Sequence, residues 1–184
     1  MFRRAPCRTL SVLLLLAVVA CRRAASPDAP SAPPAPNSND INSDASLFAL
    51  VTQRQPFSMY LPFPRVDVIR SGSSAHQPVV RVSMNATAFS ALQNGTLPRG
   101  TRFPNGSIIF KEVLPSTSGA PSVYAVMYRD AGNPLAGDGW VWAEYRPTGS
   151  VDYTVTDRGR ACTGCHALDD GLSNDLVRTF ERQR

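Results

Sequence analysis

Close to its C-terminal end the chain carries Cys162-Thr163-Gly164-Cys165-His166, two thiols and an imidazole within five residues. On a helix, positions i, i+3 and i+4 share one face, so all three side chains can converge on one ligand. The CxxCH spacing is the attachment sequence of c-type haem. The thiols form thioethers to the vinyl groups, and the histidine turns its ring to iron as the proximal ligand. Competing chemistries fit less well. Zinc wants a fourth ligand, yet the only other histidine is His76, and Cys7 and Cys21 lie far upstream. A thioredoxin-type CxxC follows the first strand of a βαβ unit, whereas this one follows a run of strand patterns. A Cys162–Cys165 disulfide would leave His166 unexplained. The expected cofactor is therefore one covalently bound haem c.

The sixth position on iron is constrained by what comes after the motif. Only 18 residues follow His166, and none is Met or His. A distal ligand would have to come from His76, Met59, Met84 or Met127. Met84 and Met127 lie in strand patterns and read as core, and His76 lies in the loop "SGSSAHQP". A five-coordinate iron is the other reading.

Lys111, in "NGSIIFKEV", is the single lysine among 18 arginines. A lysine held in apolar surroundings loses its proton readily, which arginine does not. Lys111 is read as an amine at the haem edge, with a solvated strand residue paired to Glu112 as the alternative. Glu144, in "VWAEYR", is a candidate pocket acid or a surface carboxylate.

The elements that must position these groups are mostly strands. "PVVRVSM", "SIIFKEV", "SVYAVMYR", "GWVWAEYR" and "VDYTVT" alternate β-branched and aromatic residues with others and are separated by Gly, Pro and Asn, which predicts an antiparallel sheet. "LFALVTQ" reads as a short helix. "ATAFSALQNG" reads as an amphipathic helix through Phe89 and Leu92 that stops at Gly95. The tail from Ala161 reads as helix, broken near Gly171 and resuming at Asn174. The fold class is α+β, predominantly antiparallel sheet with a few helices and the CxxCH helix near the C-terminus.

The 184 residues, 43% hydrophobic, suffice for one domain with a real core. The formal charge of +5 is mostly a leader effect. Residues 1–20 read as a signal peptide: Arg3, Arg4 and Arg8, an apolar run too short to span a membrane, then small residues. Val18-Val19-Ala20-Cys21 resembles a bacterial lipobox, with Cys21 lipidated. Without those three arginines the 19 cations fall to a balance of about +2 against the 14 acids, which excludes a basic patch for nucleic acid. Residues 21–46, rich in Pro, Ala and Ser, read as a linker, and 47–184 as the haem domain. The expected location is the periplasmic side of a bacterial cell envelope, as a lipoprotein anchored to membrane.

From Ser71 to Phe180, "HQPVVRVSMNATAFSALQNGTLPRGTRFPNGSIIFKEV", "GWVWAEY", "ACTGCH" and "NDLVRTF" occur in an order that resembles the cytochrome P-460 family, which includes cytochrome c′-beta. The resemblance implies a mainly β monohaem protein, often a homodimer, with His166 proximal. It also implies that Lys111 falls on the lysine that in cytochromes P-460 is bonded to a porphyrin meso carbon in an enzyme oxidising hydroxylamine. In cytochrome c′-beta the lysine is not cross-linked, and the haem binds nitric oxide. Here the sequence departs. His76 aligns near an apolar distal residue of the family, and Val80 near an arginine of its hydroxylamine-oxidising members. Three functions follow: oxidation of a small nitrogen compound, binding of nitric oxide, or six-coordinate electron transfer with a redox partner protein.

Overall fold

The computed structural model describes residues 40–65, 68–70 and 75–182. The signal peptide, Cys21 and most of the linker lie outside the described residues. The core draws on residues ahead of Leu47: Ile41 is fully buried, and Ser43 caps helix α1 (Asp44–Ala49). Residues 41–46, assigned above to the linker, therefore belong to the domain. Ser43 and Ser46 close a reciprocal capping box, the Ser46 amide donating to Ser43 Oγ and the Ser43 amide to Ser46 Oγ. Two otherwise orphaned backbone donors are satisfied this way.

Among the described residues seven strands form one antiparallel sheet. They are β1 (Leu61–Pro62), β2 (Ile69–Arg70), β3 (Val79–Met84), β4 (Ile108–Leu114), β5 (Val123–Arg129), β6 (Trp140–Tyr145) and β7 (Val151–Tyr153). The order is β1-β3-β4-β5-β6-β7, with β2 also paired to β3. The five strands read from the sequence are present. The expected strand from 151 ends at Tyr153 because Val155 turns inward and its amide donates to Asp44 Oδ1 at 2.7 Å. β1 and β2 are two residues each, too short for a periodic signal. The α+β class stands.

Both faces of the sheet are covered, which is why the two ends of β4, Ile108-Ile109-Phe110 and Val113-Leu114, are apolar at consecutive positions instead of alternating. One face packs Ile108, Phe110, Val126, Val141 and Tyr145 under Leu47, Leu50 and Val51 of the N-terminal segment. The other packs Val82, Ile109, Met127, Trp140 and Trp142 against Leu176, Val177 and Phe180 of the tail.

The helices are shorter than expected. Helix α2 spans Ala86–Ser90, capped by Asn85, whose Oδ1 accepts from the Ala88 amide. It ends at Ser90, with Ala91 as C-cap, short of the left-handed turn at Asn94 (φ 51°) and Gly95 (φ 79°). Phe89, placed on its buried face above, is 39% exposed. In the tail α3 is the single turn Thr163–His166, followed by short 3-10 turns at Gly171–Asn174 and Arg178–Arg182. No helix resumes at Asn174, since Asp175 and Leu176 are both left-handed (φ 51° and 67°). Two non-glycine residues in that region stop any right-handed helix.

Candidate functional site

The sheet face turned toward the tail walls a cavity of about 1150 Å³, its open mouth included. The register explains its lining. Val82, Lys111, Ala125, Glu144 and Tyr153 are directly opposed across β3 to β7 and form one cross-strand row. Met84, Ile109, Met127 and Trp142 form the adjacent row on the same face. The α3 turn lies against this wall, and Cys162, Cys165 and His166 all line the cavity.

The attachment turn is held by backbone bonds. The Cys162 and Thr163 amides both donate to Gly159 O at 2.8 Å, and the His166 amide to Cys162 O at 3.1 Å. Both thiols are free. Burial pushes the Cys162 thiol up to about 11, so it stands protonated.

His166 is fixed as a ligand. Its Nδ1 lies 2.7 Å from Leu176 O. A carbonyl oxygen only accepts, so Nδ1 carries the proton and Nε2 keeps a free lone pair. This is the arrangement metal-bound histidines use to set tautomer and ring angle. Trp142 packs edge-on against the ring, centroids 4.9 Å apart. Burial, reinforced by the Lys111 charge, lowers the His166 pKa to about 3, which keeps the imidazole neutral as metal binding requires.

The carbonyl that orients His166 is itself anchored by a residue the sequence did not reveal. Asp175, fully buried, accepts from Arg102 Nη1 at 2.7 Å and from the Phe103 amide at 2.9 Å, and lies 3.6 Å from Arg129 Nε. Its carbonyl accepts from Trp140 Nε1 at 3.0 Å. These bonds hold the left-handed pair Asp175-Leu176 and so aim Leu176 O at the imidazole. The only hint in "SNDLV" was that Asp and Asn tolerate left-handed backbone better than most residues.

Across the cavity wall, Lys111, His76 and Glu144 form a chain. Lys111 Nζ lies 3.2 Å from His76 Nδ1, and His76 Nε2 lies 2.7 Å from Glu144 Oε1. With Glu144 a carboxylate, Nε2 must donate to it, which leaves Nδ1 as the acceptor of a Lys111 N–H. Burial lowers the Lys111 pKa, an effect opposed in part by the Glu144 charge. The solvated alternative is thereby set aside: Glu112 instead pairs with Arg81 at 3.2 Å, while Lys111 faces the cavity. Glu144 is likewise a cavity residue.

The remaining candidates separate cleanly. Met59 is 79% exposed and, like the buried Met84, does not line the cavity. Met127 and Val80 line it, as does Trp142. Trp140 and Phe103 pack edge to face behind it, and Phe110 belongs to the opposite face. Among the described residues no three His, Cys, Asp or Glu side chains converge on a metal-ion position, so the zinc reading lacks a donor set there.

The donor set fits haem: a neutral imidazole with Nε2 free, two thiols on the same turn, and a largely apolar wall of sheet. A β-sheet pocket closed by a CxxCH turn defines a haem-binding cytochrome built on strands. The family model of cytochrome P460 matches residues 65–179, and the chain belongs to that family. Membership brings with it haem and iron, and a place among haem proteins that act on nitrogen compounds. No curated protein matches the chain.

Proposed function

We propose that this protein is an exported monohaem c-type cytochrome that takes a small nitrogen ligand, nitric oxide or hydroxylamine, at an open position on haem iron. The observation that carries this reading is the 2.7 Å bond between His166 Nδ1 and Leu176 O, which leaves Nε2 as an iron donor beside two thiols. Cys162 and Cys165 hold the haem through thioethers, and His166 is the proximal ligand. The haem supplies an iron that binds such a ligand and exchanges electrons with it.

Among the described residues, His76 and the methionines are not placed to serve the iron, which would leave a position there for an exogenous ligand. Both nitrogens of His76 are engaged, by Lys111 and Glu144. Met127 sits directly across from Trp142 in the sheet, and Trp142 packs on the His166 ring. A six-coordinate electron carrier is disfavoured for the same reasons. Lys111 lies within the pocket as an amine whose charged form is disfavoured, where it can contact the ring edge. Export and a lipid anchor at Cys21 are part of the reading, supported by the basic, apolar, small-residue order of the first 21 residues, and a redox partner protein would carry electrons to or from the haem.

The test is covalent haem content. Produced with c-type maturation machinery, the wild-type chain should keep its haem through a denaturing gel. The Cys162→Ala, Cys165→Ala double variant should lose it. Haem retained by the double variant would sink the attachment, and a wild type that never acquires haem would sink the function.

A further inference from the structure

We propose that a groove on the outer side of the attachment turn binds a small planar oxyanion, of the nitrite or nitrate kind, between Arg102 and Arg129, and that its occupancy is felt at the iron. The turn has two sides. Cys162, Cys165 and His166 face the haem cavity, whereas Thr163 and Gly164 line this second groove together with Arg102, Arg129, Asp138 and Gly139. Anion binding here does not depend on the open iron position argued above.

The two arginines are not used up by the fold. They converge on the single carboxylate of Asp175, which lies 2.7 Å from Arg102 Nη1 and 3.6 Å from Arg129 Nε. Two guanidiniums against one carboxylate leave a positive charge over. Donors are left over as well. Arg129 gives Nε to Phe103 O at 3.3 Å and Nη1 to Asp138 O at 3.0 Å. Among the described residues its Nη2 has no hydrogen-bond partner, and neither have Nε and Nη2 of Arg102. The Arg129 side chain is only 10% exposed, and buried donors are nearly always satisfied, so its open N–H marks a place for an acceptor. Paired oxygens in one plane match a guanidinium edge.

Arg129 is also held ready. Its guanidinium lies over the Trp140 ring, 5.5 Å from the centroid, and the two carbonyls fix its plane. A fork fixed in this way loses little freedom on binding. Gly139 keeps the approach open, since a Cβ there would fall 1.9 Å from Nη1 and 3.0 Å from Nη2. Arg102, its side chain 57% exposed, can close on the anion from the solvent side. The exposed Asp138 brings one opposing carboxylate to the groove.

The groove backs onto the proximal ligand. Thr163 and Gly164 belong to the turn that carries His166, and Asp175 precedes the residue whose carbonyl fixes His166 Nδ1. Negative charge added on this side favours ferric over ferrous iron. By linkage the ferric protein then binds the anion more tightly, and the anion lowers the midpoint potential.

Nitrate is the probe, at constant ionic strength, and the wild-type holoprotein is compared with Arg102→Ala and Asp138→Asn. In the ferrous carbon monoxide form, with the iron blocked, ¹⁵N NMR should show the Arg102 and Arg129 guanidinium signals moving along one saturating curve. Loss of a charge-assisted donor should weaken nitrate about tenfold in Arg102→Ala. Removal of the opposing charge should tighten it about twofold in Asp138→Asn. The wild-type midpoint potential should fall with nitrate and level off, and Arg102→Ala should not show that fall at the same concentrations. Shifts that never saturate, unchanged affinity in Arg102→Ala, or weaker binding in Asp138→Asn would overturn the site. Saturating guanidinium signals with a potential that stays still would overturn the coupling to iron. A fall that survives Arg102→Ala would place the nitrate on the iron and overturn the proposal as a whole.

Discussion

At the scale of single residues, the pocket holds two nitrogen bases that burial treats alike and hydrogen bonding treats differently. His166 is pinned by a carbonyl and kept neutral, with its pKa lowered to about 3. Lys111 is also driven toward neutrality, but it donates to an imidazole that has a carboxylate behind it. The His166 shift makes a prediction for the haem-free chain. The unfolded state binds this proton near the ordinary histidine value of about 6.5, whereas the folded state binds it only near 3. Below about 6.5 the unfolded state therefore holds more protons, and folding stability falls as pH drops through that window. Denaturant midpoints measured from pH 7 down to 4 should decline in the wild type and decline less in His166→Phe. The CxxCH motif and the oddity of the lone lysine were legible in the sequence because residue type alone carries that chemistry. Asp175 was not: a buried carboxylate holding a loop between two arginines has no sequence pattern. Its partner Arg129 is itself buried, so Asp175→Ala leaves an uncompensated cation, and chemical denaturation should register a loss of about 3–5 kcal/mol.

At the scale of elements, the strands were readable and the helices were overdrawn. β3, β4, β5 and β6 carry β-branched and aromatic residues bounded by turn formers, a signal that tertiary packing reinforces. The expected helices cannot run on through the left-handed residues at Asn94-Gly95 and Asp175-Leu176, and side-chain periodicity does not report φ. Two glycines protect the attachment turn in the same hidden way. A Cβ on Gly171 would fall 1.8 Å from His166 O, and one on Gly159 would fall 2.4 Å from Trp142 Cδ1 at a φ of +71°. Neither contact is tolerable without moving the His166 backbone or the indole that packs on its ring. Gly171→Ala and Gly159→Ala should each cost more than about 1 kcal/mol, and each should lower the fraction of chains that acquire covalent haem, read as the ratio of haem absorbance to protein.

At the scale of the whole domain, the sheet separates two jobs. One face is a closed core under the N-terminal segment, and the other is core at one end and cavity at the other. Leu50→Ala, fully buried on the closed face, should cost about 2–5 kcal/mol in unfolding free energy and leave the haem spectrum unchanged. The sequence conveyed this organisation only in outline. It showed five of the seven strands, but the row that brings Lys111 and Glu144 into line is a matter of register, which strand patterns alone do not fix. The central claim is an iron held by His166 with its other side open to a small nitrogen ligand. The most direct measurement is the absorption spectrum of the ferrous holoprotein before and after nitric oxide is added. The account predicts a high-spin spectrum that changes on addition. Sharp low-spin bands indifferent to nitric oxide would contradict it.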